Sequence, residues 1–123
     1  MKRDMDLVRE VLLRIEGDPM LDGAHSSYAP EASDFPGHSA DEIAYHINLL
    51  LEEGFLKAPE PTFQTSALAV ARLTSAGHNF LDNIRNQDIW SKTKAKFKGL
   101  GGVGLTVIAA IAEAEVKKHL GLS

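Results

Sequence analysis

The sequence has no cysteine, a single tryptophan and no long apolar run. The absence of cysteine excludes disulfide bonds, thiolate metal ligands and cysteine nucleophiles, and it fits a reducing compartment. The most apolar segment, residues 100–112, is too short for a membrane-spanning helix, which needs roughly 20 residues. The charged N-terminal segment lacks the apolar stretch of a signal peptide. We therefore expect a cytoplasmic protein that does not use a membrane as a partner.

Charge is distributed unevenly along the chain, although the net charge is only −4. Residues 15–63 carry ten acidic side chains and one basic side chain, whereas residues 64–123 carry eight basic and four acidic side chains. Hydrophobic residues make up 44% of the sequence, enough to form a core. Because nucleic-acid affinity depends on Lys and Arg contacts to phosphates, the acidic segment is a poor place for such contacts.

The clearest element is a helix over residues 39–53. Ser39 can cap it, and Glu42 stands three residues later, as a capping box requires. Apolar residues then recur at helical spacing, at Ile43, Ile47, Leu50 and Leu51. Gly54 ends the helix, and two apolar segments, residues 54–58 and 67–73, are predicted to form a hairpin around a proline-containing turn at 59–66. This order is typical of the third helix and the wing of a winged-helix domain.

The remaining chain is predicted to be largely helical. Helices are expected over residues 4–16, from Thr74 onwards, over 89–98 and over 105–120. Residues 20–37 are predicted to be mostly loop, with a brief edge strand at Ser33–Phe35. The fold class that follows is α+β and mostly α, with a winged helix-turn-helix-like core, a two-stranded wing and a C-terminal helical extension. The predicted domains are a winged-helix-like domain at 1–86 and the extension at 87–123.

The last predicted helix is amphipathic. Its apolar side is predicted to carry Ile108, Ile111, Ala112, Val116 and Leu120, and its polar side Glu113, Glu115, Lys117 and Lys118. An apolar helix must bury that side. It can fold back on its own chain or pair with a second copy as a homodimer, and the sequence leaves both alternatives open.

The outward side of the 39–53 helix offers two different functions. Asn48 could pair with an adenine edge and Tyr45 could reach a phosphate, which would make the helix a DNA reader. Asp41 and Glu52 share this side, and Glu42 and Glu53 flank it, so these carboxylates would repel phosphates. Asp41, Glu42 and Glu52 therefore favour docking onto a basic protein partner. The structural alternative is that Tyr45 and Asn48 are ordinary surface residues.

Lysines dominate a later stretch. Lys92, Lys94, Lys96 and Lys98 lie near Trp90 and could contact nucleic acid, although lysines at every second position spread around a helix instead of forming one stripe. The alternative is a solvated helix face. The histidines are interpreted as unrelated surface or capping residues. No spacing predicts a metal site, a cofactor or a catalytic residue, so we do not expect an enzyme.

Four segments, taken in order, are MKRDMDLVR, AYHINLLLEEGFL, RLTSAGHNFLDNIR and IWSKTKAKFKGLGG. Together they resemble a family of small bacterial and phage proteins that is classed as a domain of unknown function. The resemblance implies a winged-helix-like fold and occurrence in prophages, and it implies no catalytic residues. Separately, the pattern Leu73-Thr74-x-x-Gly77 after a hairpin is similar to many winged-helix transcription regulators.

Two functional hypotheses follow. The first is a phage-related winged-helix protein that binds DNA in transcriptional regulation, since DNA is the usual ligand of the fold. The second is a noncatalytic protein-interaction module that uses the acidic helix face. The charge pattern favours the second hypothesis and the fold favours the first.

Overall fold

The computed structural model of the protein describes residues 1–22, 26–60, 68–100 and 102–122. It is an α+β structure, mostly helical, with a two-stranded antiparallel sheet, which confirms the predicted fold class. The chain divides into two compact units, Met1–Gly77 and His78–Ser123. The predicted domain boundary after residue 86 stays a prediction, because compactness does not test which segment folds as a domain.

Two helices supply most of the core of the first unit. Helix α1, Met5–Glu16, begins at Asp4, whose carboxylate accepts a hydrogen bond from the Leu7 N–H at 3.2 Å. Helix α1 contacts the second helix, α2, Ala40–Glu52. The side chains that α1 buries are those of Leu7, Val8, Val11, Leu12 and Ile15.

The predicted capping box of α2 is confirmed. The Ser39 hydroxyl accepts from the Glu42 N–H at 3.1 Å, and the Glu42 carboxylate accepts from the Ser39 N–H at 3.2 Å. Its buried residues are Ile43, His46, Ile47 and Leu50. Gly54 follows α2 with a φ of 76°, a left-handed conformation that favours glycine and turns the chain into the hairpin.

The hairpin consists of β1, Leu56–Lys57, and β2, Arg72–Leu73, in antiparallel register. Just before β2, Val70 exchanges two backbone hydrogen bonds with Tyr28, at 2.8 and 2.9 Å. The next residue, Ala71, donates instead to the Lys57 carbonyl on β1. The 70–73 segment therefore lies between Tyr28 and β1. Of the predicted hairpin turn and returning strand, residues 61–67 lie outside the described residues.

The edge strand predicted at Ser33–Phe35 is wrong. A single turn of 3-10 helix, Ala32–Asp34, occupies that place. Its closing residue, Asp34, accepts hydrogen bonds from the Glu31 N–H at 3.1 Å and from the Tyr28 hydroxyl at 2.6 Å. Because an aspartate that bonds the backbone three residues earlier stabilises a turn, this segment cannot extend. Strand-like pairing occurs at Tyr28 instead.

Three helices follow the hairpin. Helix α3, Ser75–Ile84, begins beside Thr74, whose hydroxyl oxygen accepts from the Gly77 N–H at 3.0 Å. Helix α4, Gln87–Phe97, starts two residues earlier than predicted because the Asn86 side chain caps it by accepting from the Ile89 N–H. Helix α5, Leu105–His119, packs against α4 within the second unit.

The predicted orientation of α5 needs two corrections. Glu115, assigned to the polar side, is buried, and Leu120, assigned to the apolar side, ends the helix with 63% of its surface exposed. The buried row is Leu105, Ile108, Ala112 and Glu115, which follows the three- and four-residue spacing of one helix face. Helix α5 thus covers that row within its own unit, and pairing with a second copy stays a prediction.

Candidate functional site

The outward side of α2, here called the acidic face, consists of Asp41, Glu42, Tyr45, Asn48 and Glu52. Four of its residues are exposed and Glu42 is half-buried. Tyr45 is 36% exposed, and its ring packs edge-on against the His46 ring, with 5.5 Å between ring centroids. Asn48 is exposed to solvent. Helix α2 contains no Lys or Arg, so nothing on it neutralises a phosphate.

Glu42 has a structural role within this face. Besides the cap, its carboxylate lies 3.3 Å from His38 Nδ1. The hydrogen bond from the Ser39 N–H, followed by the contact with His38, lowers the pKa of Glu42 below its ordinary value. The capping contacts hold Glu42 at the start of α2, so it is less available to a partner than Asp41 and Glu52.

His46 belongs to the core and is not the surface or capping residue that the sequence suggested. Its side chain is 1% exposed. Nε2 accepts from the Asp4 N–H at 2.7 Å, and Nδ1 lies 2.7 Å from the Glu42 carbonyl oxygen. Because Asp4 supplies a donor, Nε2 must be the acceptor and Nδ1 must carry the proton. Its position, three residues after Ile43 on the buried row, was the signal available in the sequence.

The lysines predicted on α4 do not share one surface. Lys94 lies with its ammonium 5.7 Å from the centre of the Trp90 ring, a cation–π arrangement. Lys98 follows the helix as its C-cap. Lys92 and Lys96 are one turn apart and line a groove against α5. The structure therefore brings together only two of the four predicted lysines.

That groove, here called the lysine groove, has a volume of about 380 Å³. Helix α4 contributes Lys92 and Lys96, and α5 contributes Lys118 and His119, which no sequence pattern connected with α4. The lining residues are Lys92, Ala95, Lys96, Glu115, Lys118 and His119. No pattern within one helix could reveal this set, because it depends on how α4 packs against α5.

Glu115 lies at the base of the lysine groove and is 6% exposed. Its Oε1 lies 3.9 Å from Lys96 Nζ and 3.8 Å from Lys118 Nζ. Both distances exceed hydrogen-bond length, so the attraction is through space and each ammonium keeps donors for another partner. Exposed lysines around one buried carboxylate form a site with an excess of positive charge.

The two units carry charge of opposite sign. Residues 1–77 hold six basic and thirteen acidic side chains, a net charge of −7. Residues 78–123 hold seven basic and four acidic side chains, a net charge of +3. The acidic face lies in the negatively charged unit, and the lysine groove lies in the positively charged unit.

Comparison with known proteins identifies the family. The family described as Hypothetical protein (DUF2513) matches residues 2–104. This chain belongs to it. A relative from Haemophilus influenzae, called an uncharacterized protein, is 33% identical over 123 residues, which cover 98% of this chain and 99% of the relative. No solved structure matches the chain. The family assignment confirms the resemblance to a domain of unknown function.

The DUF2513 match includes the acidic face but only part of the lysine groove. It ends at residue 104, immediately before α5 begins, so Glu115, Lys118 and His119 lie beyond it. The Haemophilus influenzae relative extends along almost the whole chain. Within the described residues, no helix is both long and apolar enough to span a membrane.

Proposed function

We propose that this DUF2513 protein is a noncatalytic DNA-binding protein of the winged-helix type that acts in transcriptional regulation. The order of elements in the first unit carries the proposal. Helix α1, the Tyr28 bridge, α2 and the β1–β2 hairpin follow the order of a winged-helix domain. DNA is the usual ligand of that architecture, and this step is an analogy from fold.

The Tyr28–Val70 bridge supports the winged-helix interpretation. An ordinary winged helix has a short strand between its first two helices, and Tyr28 stands in that place, paired beside the hairpin. The protein departs from the pattern after the bridge, where the 3-10 turn Ala32–Asp34 replaces a second helix. The helix that precedes the wing, α2, is complete and capped at its start.

Phosphate contacts belong on the second unit in this proposal. Two phosphates meeting the acidic face would face Asp41 and Glu52, and like charges 4 Å apart repel by about 1 kcal/mol even in water. The second unit carries the positive charge, including Lys92 and Lys96. Asn48 keeps its predicted role as a contact to a base edge, where charge matters less, and Tyr45, predicted to reach a phosphate, would do so through a neutral hydroxyl.

The deciding experiment is a titration of the full chain with mixed-sequence duplex DNA at low and at physiological salt, with the oligomeric state recorded in parallel. We expect binding that weakens steeply as salt rises, because ion release accompanies phosphate contacts. Asn48→Ala is expected to keep this salt dependence. Absence of binding at low salt would overturn the proposal.

The charge of α2 favours a second function, docking onto a basic protein. The acidic face has exposed carboxylates and an exposed aromatic ring but no basic side chain. Affinity capture with the wild type and with an Asp41→Asn, Glu52→Gln double variant would test it. A partner lost by the double variant and kept by Glu60→Gln, an exposed acid outside α2, would support docking through this face.

A further inference from the structure

We propose that the lysine groove binds the phosphate backbone of DNA without reading its sequence, and that Glu115 is a built-in competitor for the lysines that contact phosphate. The inference rests on the proposed DNA binding and assigns it a site. It predicts that removing the charge of one buried glutamate strengthens binding.

The positive charge of the groove exceeds its negative charge. Three ammonium groups, those of Lys92, Lys96 and Lys118, border the groove, with one carboxylate at its base. The C-terminus of α5 adds a partial negative charge of about half a unit from the helix dipole. The dipole therefore offsets only part of the excess of two positive charges, and an anion is still attracted.

The lysines have free hydrogen-bonding capacity. Lys96 and Lys118 lie 3.8–3.9 Å from the Glu115 oxygen, whereas a charge-assisted bond from an ammonium to a phosphate oxygen is about 2.7–2.9 Å long. Both side chains are more than half exposed, so the ammonium groups can turn towards solvent. A phosphate entering the groove can therefore approach the two ammonium groups more closely than the Glu115 carboxylate does.

The side chains of the groove suit phosphates better than base edges. Arg, Asn and Gln, which pair with base edges through a fixed geometry, do not line it, and its lysines act as flexible point charges. His119 is the one ring in the lining, and Trp90 is buried. The ligand assigned by this chemistry is the sugar-phosphate backbone of a duplex.

Glu115 remains close to two of the lysines whatever the ligand. A phosphate held by Lys96 and Lys118 must also approach this carboxylate, which repels it. Glu113 provides a matched comparison, since it is on the same helix but pairs with Lys117 at 3.3 Å and does not line the groove. The two glutamates differ in position and not in charge.

The test measures duplex binding by fluorescence anisotropy across a salt series. Each groove-lysine variant is expected to weaken binding to the same extent for duplexes of unrelated sequence. Each should also reduce the steepness of log K against log salt concentration by about 0.9. The variants are Lys92→Gln, Lys96→Gln and Lys118→Gln. Lys94→Gln, on the same helix but outside the groove, is the control and should change the slope less. Glu115→Gln should tighten binding severalfold, and Glu113→Gln should tighten it less.

Each outcome separates the site from the proposed function. If the duplex binds but the groove-lysine variants change the salt slope no more than Lys94→Gln does, the groove assignment is wrong while DNA binding stands. If Glu115→Gln does not tighten duplex binding more than Glu113→Gln does, the competitor role of Glu115 is wrong. If no duplex binds at low salt, DNA binding itself is wrong. Titration with inorganic pyrophosphate, followed through the His119 imidazole NMR signals, then tests whether the groove binds phosphate: an unchanged His119 signal overturns the site.

Discussion

At the residue scale, His46 joins two helices of the first unit through backbone groups. It accepts from the N–H of Asp4, the cap of α1, and its other nitrogen contacts the Glu42 carbonyl within α2. A buried backbone donor without a partner costs free energy comparable to a lost hydrogen bond. The imidazole therefore fixes where α1 begins relative to α2, in addition to filling space in the core.

His46→Leu is expected to lower the free energy of unfolding by about 1–3 kcal/mol, because it leaves the Asp4 N–H without its acceptor. Thermal unfolding followed by circular dichroism measures the change. Asn48→Ala, two residues away on the exposed side, is the control and should leave the melting temperature nearly unchanged. A His46→Leu protein as stable as the wild type would show that water satisfies the Asp4 donor.

At the element scale, the Leu73-Thr74-x-x-Gly77 pattern has a structural explanation. The Thr74 hydroxyl donates to the Gly54 carbonyl and accepts from the Gly77 N–H, so one side chain joins the end of the α2 turn to the start of α3. A β-carbon on Gly77 would lie 2.0 Å from the Phe55 carbonyl oxygen. The glycine thus permits close approach of α3 to the chain entering β1.

Gly77→Ala is expected to destabilise the protein although alanine is the better helix former by about 1 kcal/mol. The added methyl group overlaps backbone, which cannot turn away as a side chain can, and overpacking of this kind costs typically about 1–3 kcal/mol. Urea unfolding measures the difference. Ser75→Ala, exposed in the same turn, serves as the control. Unchanged stability of Gly77→Ala would show that α3 moves freely away from Phe55.

The elements that the sequence predicted correctly depend on neighbours in the chain. The Ser39–Glu42 capping box and the apolar spacing of α2 are local, and the structure has both. The strand predicted at Ser33–Phe35 failed because Asp34 accepts from the Glu31 N–H and closes a turn, and it also accepts from the Tyr28 hydroxyl, a contact that only the folded chain creates. The burial of Glu115 was missed for a related reason: an acidic residue on an apolar row becomes acceptable only where lysines of α4 and α5 surround it.

At the scale of the whole molecule, the candidate sites follow the division of charge. The sequence showed that acidic residues precede basic ones, and it located the acidic face on the correct helix side. It could not show that Lys92, Lys96 and Lys118 line one groove, because that arrangement requires α4 and α5 to pack together. The proposed phosphate-binding groove and the acidic face for protein docking therefore lie in different units, and a variant of one surface leaves the other surface's charges unchanged.

The acid and alkaline limits of stability are expected to lie in the first unit. Three carboxyl groups there have lowered pKa values: Asp18, which accepts from Arg14; Asp34, which accepts from Tyr28; and Glu42, which accepts from the Ser39 N–H. A group with a lowered pKa in the folded state stabilises the protein above its unfolded pKa and loses that contribution as the pH falls. Burial and the bond to Asp34 raise the pKa of Tyr28, so its contribution is present below the ordinary value of 10.0 and is lost above it.

We therefore expect the free energy of unfolding to fall as the pH drops below the ordinary glutamate value of 4.5 and to fall as the pH rises above 10.0. Urea unfolding across a pH series measures this profile. Tyr28→Phe keeps the ring beneath the Arg14 guanidinium, 4.4 Å away, but removes the hydroxyl. The variant should lose the alkaline decline and part of the acid decline, since Asp34 loses its donor while Asp18 and Glu42 keep theirs. An alkaline decline equal to that of the wild type would assign it to a group other than Tyr28.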